Sequence, residues 1–393
     1  MAVKTPAKAA GNPGASAKSD PAASGTKKLK VAIVHDWLIG GGAERVIEAL
    51  HELYPDAPIY TSYATDEWRE RLHGKVVTGF LQRWPFSRLR KFVGVLRMWW
   101  FSHLDLSGYD LVISSTGNGE AFGARMPPSA VHICYCHTPT HYYWRHYDAY
   151  MRRPGFGVFD PLARLGLRLL VAPMRRWDWR AAQRVDYFIA NSTHIQQDIK
   201  AYYGRDAEVI FPPIDVARFT VDVPASKRHG LLTVGRQAPH KHTDIIVEAC
   251  TRLGLPLTVV GNGPDHAHLR KIAGPNVMFD MNATDQAVAD YMAHAQGFIF
   301  ASFDDFGITP IEAMAAGTPV IAFKAGGALD YIVPGKTGIF FGEQTADSLA
   351  KTLTTFDPSA FNPKVIRAHA QAFSPTIFKK QIQTFVQKTM ADK

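Results

Sequence analysis

Short apolar runs rich in β-branched and aromatic residues alternate along this chain with longer segments whose apolar positions recur every three to four residues. The first periodicity is that of buried parallel strands and the second that of amphipathic helices, so the alternation predicts parallel sheets covered by helices on both faces. In the first half the pattern predicts strands over Leu29–Val34, Leu111–Ser115, Val131–Cys136 and Tyr187–Asn191. In the second half it predicts strands over Leu231–Val234, Leu257–Val260, Val277–Phe279, Phe298–Ala301, Val320–Phe323 and Gly338–Phe341. Between the halves, Pro212 to Arg228 holds Pro212, Pro213 and Pro224 without periodicity and reads as a linker. From Pro375 to Met390 the apolar residues Ile377, Phe378, Ile382, Phe385, Val386 and Met390 predict an amphipathic helix that packs on a domain.

The expected organisation is therefore a tail over 1–28, a doubly wound domain over 29–223, a second over 224–374 and a terminal helix over 375–393 that packs back on the first domain. Two such domains in one chain imply a cleft between the C-terminal ends of their strands, where doubly wound sheets bind ligands. The 393 residues allow two domains of ordinary size. The first 28 residues are mainly Ala, Gly, Ser, Pro and Lys, which predicts a disordered tail in a cytoplasmic protein. No apolar run reaches the length of a spanning helix.

Charge narrows the partners. With 44 basic against 35 acidic residues the chain carries +9 and favours anionic ligands. A nucleic-acid binder is disfavoured, because no recognition-helix, RNP or zinc pattern accompanies the basic residues. Cys134 and Cys136 lie in an apolar run and read as buried strand thiols.

Three segments at predicted strand ends carry chemistry. Gly40, Gly41 and Gly42 precede the helical run Ala43 to Leu53; backbone N–H groups there suit a phosphate, although a plain strand-to-helix turn uses the same residues. Gly235, Arg236 and Lys241 follow another strand, where a guanidinium fork and an ammonium suit a diphosphate, or stand as solvated loop cations. The third runs from Ser302 to Val320: Asp304 sits in a loop, Phe306–Gly307 forms a turn, and Glu312 follows eight residues after Asp304 on a helix. Carboxylates accept from vicinal hydroxyls while a helix start holds phosphate, an arrangement suited to a sugar on a diphosphate. Asp304 and Asp305 offer too few oxygens for a metal site, and no metal or cofactor is expected.

This third segment resembles the signature of family 4 glycosyltransferases, in which two Glu residues separated by seven positions surround a Phe-Gly turn. Val234-Gly235-Arg236 with Lys241 resembles the same family's diphosphate-binding pair, and Phe188 to Ser192, Phe211 to Asp215 and Val260 to Pro264 extend the likeness from about Lys30 to Phe341. The resemblance implies the GT-B architecture, two Rossmann-like domains facing a central cleft. It also implies that Glu312 holds the ribose and Asp304 the donor sugar. Arg236 and Lys241 would neutralise the diphosphate with N–H groups of Gly41, Phe306, Gly307 and Ile308, Gly42 and Thr309 would join the donor-binding set, and His137 would face the reacting carbon. One departure is the shorter Asp304 where the family has Glu. His35-Asp36-Trp37, Tyr109 to Ser115 and His132 to Pro139 look like bacterial mannosyltransferases of O-antigen and exopolysaccharide assembly, which implies GDP-mannose as donor.

For such a family the expected reaction retains anomeric configuration without a protein nucleophile. The acceptor attacks on the face that the diphosphate leaves, and a donor phosphate oxygen takes its proton. Phe80 to Leu106 interleaves Trp84, Phe86, Phe92, Trp99, Trp100 and Phe101 with Arg83, Arg88, Arg90, Lys91 and Arg97, and Tyr142 to Arg184 is a second basic, aromatic stretch. Cations with aromatic residues suit anionic headgroups, which predicts peripheral membrane association and a polyprenyl-diphosphate-linked saccharide acceptor; inward packing of the same helices is the other reading. A UDP-sugar-dependent transferase and a sugar-nucleotide epimerase on the same fold remain the competing functions.

Overall fold

A computed structural model describes residues 29–89, 94–140, 143–145, 147–152, 157–219 and 221–392. The predicted tail over 1–28, and Arg90, Lys91 and Phe92 of the aromatic stretch, lie outside the described residues.

The first domain contains β1 (Val31–His35), α1 (Glu44–Leu53), β2 (Ile59–Thr61), α2 (Asp66–Arg71), β3 (Val76–Thr78), α3 (Gly94–Ser102), β4 (Leu111–Thr116), β5 (Val131–Cys136), α4 (Tyr147–Arg152), α5 (Asp160–Gln183), β6 (Tyr187–Ala190), α6 (Thr193–Tyr203) and β7 (Ala207–Val209). Its strands are all parallel, in the order β3-β2-β1-β4-β5-β6-β7. The second domain follows with β8 (Leu231–Val234), α7 (Thr243–Leu253), β9 (Leu257–Val260), α8 (His266–Ile272), β10 (Val277–Asp280), α9 (Asp285–His294), β11 (Gly297–Phe300), α10 (Thr309–Ala315), β12 (Val320–Phe323), α11 (Ala328–Tyr331), β13 (Gly338–Phe341), α12 (Ala346–Thr354) and α13 (Pro363–Ala370). Its sheet is again parallel, in the order β10-β9-β8-β11-β12-β13.

Alternation along the central strands builds a core on each face of each sheet. On β1, Val31 and Ile33 pack toward α1, while Ala32 and Val34 meet Phe101 and Leu106 on the other side. On β11, Phe298 and Phe300 join one core, and Ile299 and the following Ala301 the opposite one. Cys134 and Cys136 are buried free thiols of β5.

Helix α14 (Pro375–Ala391) crosses back to the first domain. Phe378, Ile382, Phe385 and Val386 enter the core that holds Ile33, Tyr135 and Ile189. Burial of such side chains contributes roughly 1.5–3 kcal/mol each, enough to keep the helix docked. Where the chain returns, the Ile214 N–H donates to the Phe373 carbonyl at 2.8 Å, so the two passages between domains lie side by side.

In both sheets the strand order reverses beside the first strand, between β1 and β4 and between β8 and β11. Adjacent loops diverge there and leave a crevice at the strands' C-terminal ends. The loops after β1, β8 and β11 carry the glycines, the cations and the carboxylates singled out above.

Candidate nucleotide-sugar site

A cavity of about 1420 Å³ opens between the domains. Gly42 and His137 reach it from the first domain, and Arg236, Lys241, Asp304, Phe306, Gly307, Ile308 and Thr309 from the second. Gly41 and Glu312 do not line it. Glu312 sits on α10 with its carboxylate turned to Arg45 of the first domain, whose Nη2 lies 2.8 Å from Oε1.

At the centre of the second-domain wall the Lys241 ammonium and the Asp304 carboxylate pair at 2.6 Å. Each thereby offsets the other's charge. A donor entering between them would find a cation for its phosphate and an acceptor for its hydroxyls. Lys241 is held on a short turn over Pro239–Lys241 that the neighbouring loop braces: Gln237 donates through Nε2 to the Gly261 carbonyl at 2.6 Å and through its backbone to Asn262 at 3.0 Å.

The Asp304 loop is carried by a glycine pair that the sequence reading passed over. Gly326 has φ +59°, and a Cβ there would stand 2.4 Å from the Asp304 carbonyl; the Gly327 N–H donates to that same carbonyl at 3.0 Å. Across the cleft, a Cβ on Gly42 would lie 2.6 Å from Cδ1 of Ile308, so the two walls approach closely here and a larger residue would have to turn the Ile308 side chain aside.

In the first domain Asp36 organises the wall. Its buried carboxylate accepts from Thr116 Oγ1 at 2.9 Å and from the backbone N–H groups of Gly117, Asn118 and Ala121 at 2.8–2.9 Å, tying the end of β1 to the loop after β4. Glu44 accepts from the Ile39 and Gly40 N–H groups at 3.2 and 3.0 Å, so a protein carboxylate already takes the first N–H of the glycine turn before α1. His137 lies 2.8 Å from Ser115 Oγ through Nε2, and its carbonyl accepts from Asn191 at 2.9 Å. Burial, then the neighbouring His35, push the His137 pKa down to about 3, so the ring is neutral near pH 7. Asp36, Glu44, Ser115 and Asn191 were not singled out from sequence as site residues; Asp36, Ser115 and Asn191 had a signal, their places in the His-Asp-Trp run, in Tyr109 to Ser115 and in Phe188 to Ser192.

Further interdomain ties frame the cleft. Arg145 Nη1 lies 2.7 Å from Asp305 while its other nitrogen meets Asp198, and the Thr193 N–H donates to Asp330 at 2.8 Å. Asp305 is thus committed to Arg145. Arg97, counted from sequence among the headgroup-binding cations, turns inward and pairs with buried Glu120 at 2.6 Å. Burial, outweighing Arg97, pushes the Glu120 carboxyl up to about 7.

Residues 220–356 match the family model described as glycosyl transferases group 1, and residues 40–218 that of glycosyltransferase family 4. The chain belongs to the group 1 glycosyltransferases of the GT-B class. It is 29% identical over 184 residues to the GDP-mannose-dependent alpha-mannosyltransferase of Mycolicibacterium smegmatis, a match covering 43% of this chain and 48% of that protein. A D-inositol 3-phosphate glycosyltransferase of Pseudarthrobacter chlorophenolicus is 29% identical over 210 residues, covering 46% and 50%. The chain thus spans about half the length of these relatives. Among solved structures, Anabaena HepE in complex with UDP superposes with a TM-score of 0.67 at 17% identity, covering 92% of this chain and 100% of that one. Sucrose-phosphate synthase from Thermosynechococcus elongatus reaches 0.66 at 18%, covering 93% and 100%. Both share the two-domain fold with this group 1 chain.

Proposed function

We propose that this chain is a retaining hexosyltransferase that moves mannose from GDP-mannose to a lipid-linked saccharide. The Lys241–Asp304 pair in the interdomain cleft, with Arg236 on the same loop, is the observation that carries the reading. The likeness to a GDP-mannose-dependent relative supports the choice of donor.

In this reading the donor diphosphate takes Lys241 and Arg236, and Asp304, released from the ammonium, accepts hydrogen bonds from the sugar hydroxyls. Glu312 receives the ribose after giving up Arg45. The acceptor oxygen forms a bond to the anomeric carbon as the bond from that carbon to the phosphate oxygen breaks. The acceptor proton passes to a phosphate oxygen, and GDP leaves. Negative charge grows on the leaving diphosphate, where the two cations stabilise it more in the transition state than in the ground state. Neutral His137 offers the sugar a hydrogen bond without placing a positive charge beside an anomeric carbon that is itself becoming positive. The reaction would take place at the cytoplasmic face of a membrane, the protein being peripheral; among the described residues no helix is long and apolar enough to cross one.

A donor panel tests this reading. GDP-mannose, UDP-glucose, UDP-GlcNAc and UDP-galactose are each offered with membrane lipid extract, with and without chelator. Transfer from GDP-mannose, indifferent to chelator, is the expected result. Transfer from a UDP-sugar, or epimerisation without transfer, would overturn it.

A further inference from the structure

Helix α5 carries leucines on the side away from its own domain. Leu162, Leu165 and Leu169 share one face at helical spacing and are 68, 53 and 67% exposed, and the preceding Val158 and Phe159 are 89 and 66% exposed. The opposite side, with Val171, Asp178, Ala181 and Ala182, is buried and fixes the helix to its domain. A contiguous apolar row held in water marks a surface that awaits a partner.

The charges around this row select the partner. Arg168, Arg176 and Arg180 are exposed along the same helix, with Trp179 (47% exposed) between them. Within α5 the carboxylates are Asp160, which lies 3.9 Å from Arg164, and Asp178, which is buried. A second copy of the chain would set this arginine row against itself. An anionic lipid surface accepts both features, leucines at the acyl boundary and guanidinium groups among phosphates. The position agrees: Arg164 Nη2 donates to the Arg152 carbonyl at 3.2 Å, and Arg152 and Tyr150 line the interdomain cavity, so the apolar face begins at the rim of the cleft.

We propose that the outward face of α5, with Val158 and Phe159, is the surface by which the protein lies on an anionic membrane, holding the cleft rim at headgroup level. The proposal rests on the lipid-linked acceptor read above and adds α5 as a contact beside Phe80 to Leu106, where Arg97 and Phe101 face inward while Arg83, Trp84 and Trp99 are exposed.

Flotation with vesicles of phosphatidylglycerol and phosphatidylethanolamine, and with phosphatidylcholine alone, tests it without donor or acceptor. The full chain is expected to float with the anionic vesicles only, and less in high salt. The triple variant Leu162→Ser, Leu165→Ser, Leu169→Ser and the triple variant Arg168→Ser, Arg176→Ser, Arg180→Ser should each bind at least tenfold more weakly, with unchanged melting temperature and GDP affinity. No binding by the wild type, or wild-type binding by the leucine variant, overturns the proposal. So does a concentration-dependent dimer that the leucine variant abolishes while vesicles are ignored, because the face would then be an interface between copies. Vesicle binding by a protein that transfers no sugar would sink the functional reading alone; transfer from GDP-mannose by a protein that ignores vesicles would sink this one alone.

Discussion

Arg45 of α1 donates to Glu312 of α10 across the domain boundary at 2.8 Å, and Arg218 stands 3.6 Å from the same carboxylate oxygen. The proposed ribose-binding group is therefore engaged before any donor arrives. A donor must displace Arg45, which is itself partly exposed, so the competing contact is discounted to about 1 kcal/mol. Arg45→Ala should tighten GDP binding roughly fivefold by calorimetry and lower the donor KM in step, with kcat little changed. Weaker GDP binding would show that Arg45 itself contacts the nucleotide.

Arg236→Ala and Lys241→Ala should fold normally and lose mainly kcat, because leaving-group charge grows in the transition state. Hydrogen bonds to charged groups contribute about 1.5–3 kcal/mol, which corresponds to roughly ten- to a hundredfold. The Lys241 variant should be the more damaged of the two, since it also strips Asp304 of its partner at 2.6 Å. Unchanged kcat in both would remove them from the reaction.

Asp304 and Asp305 separate by their partners. Asp304 faces Lys241 in the cleft, whereas Asp305 accepts from Arg145 at 2.7 Å. Asp304→Asn should lower kcat/KM by about a hundredfold or more, as expected for a charged acceptor lost at the sugar, and Asp304→Glu much less. Asp305→Asn should be milder than Asp304→Asn and act through KM, by loosening an interdomain tie. Steady-state kinetics on the three variants, with GDP binding as control, decides the order. An Asp304→Asn enzyme with wild-type kcat/KM would place the sugar elsewhere.

His132 makes a prediction about acid stability. Burial, then Arg184, push its pKa down to about 3, against an ordinary value near 6.5. Between these values the unfolded chain binds a proton that the native chain refuses, so stability is full above about pH 6.5 and falls as pH drops toward 3. Glu120 and Asp178, raised to about 7 and 6, act in the opposite sense, so the difference between variants is the quantity to read. His132→Gln should flatten the slope of unfolding free energy by up to about 1.4 kcal/mol per pH unit in this window. Parallel wild-type and variant curves in denaturant titrations from pH 7 to 4 would contradict it.

The central strands were legible because each is a mostly apolar run: Val31–His35, Val131–Cys136 and Gly297–Phe300 are buried throughout. The three-residue strands Ile59–Thr61, Val76–Thr78 and Ala207–Val209 were not, since three residues carry too little periodicity to stand out from a loop. In the cleft, the segment from Ser302 to Glu312 was legible as a motif. Its support was not: Gly326 and Gly327 lie far along the chain from Asp304, and only the fold brings them beneath it. Nor does sequence distinguish an outward arginine such as Arg168 from Arg97, whose direction depends on Glu120 waiting behind it.

The hydrogen bond from Ile214 to Phe373 joins the two passages between domains. A single tether would leave the halves free to swivel in any direction. Two adjacent ones, pinned together, define a pivot line, about which the walls carrying Gly42 and Ile308 part or meet like the covers of a book. Arg45–Glu312, Arg145–Asp305 and Thr193–Asp330 cross the gap between the covers as its clasps.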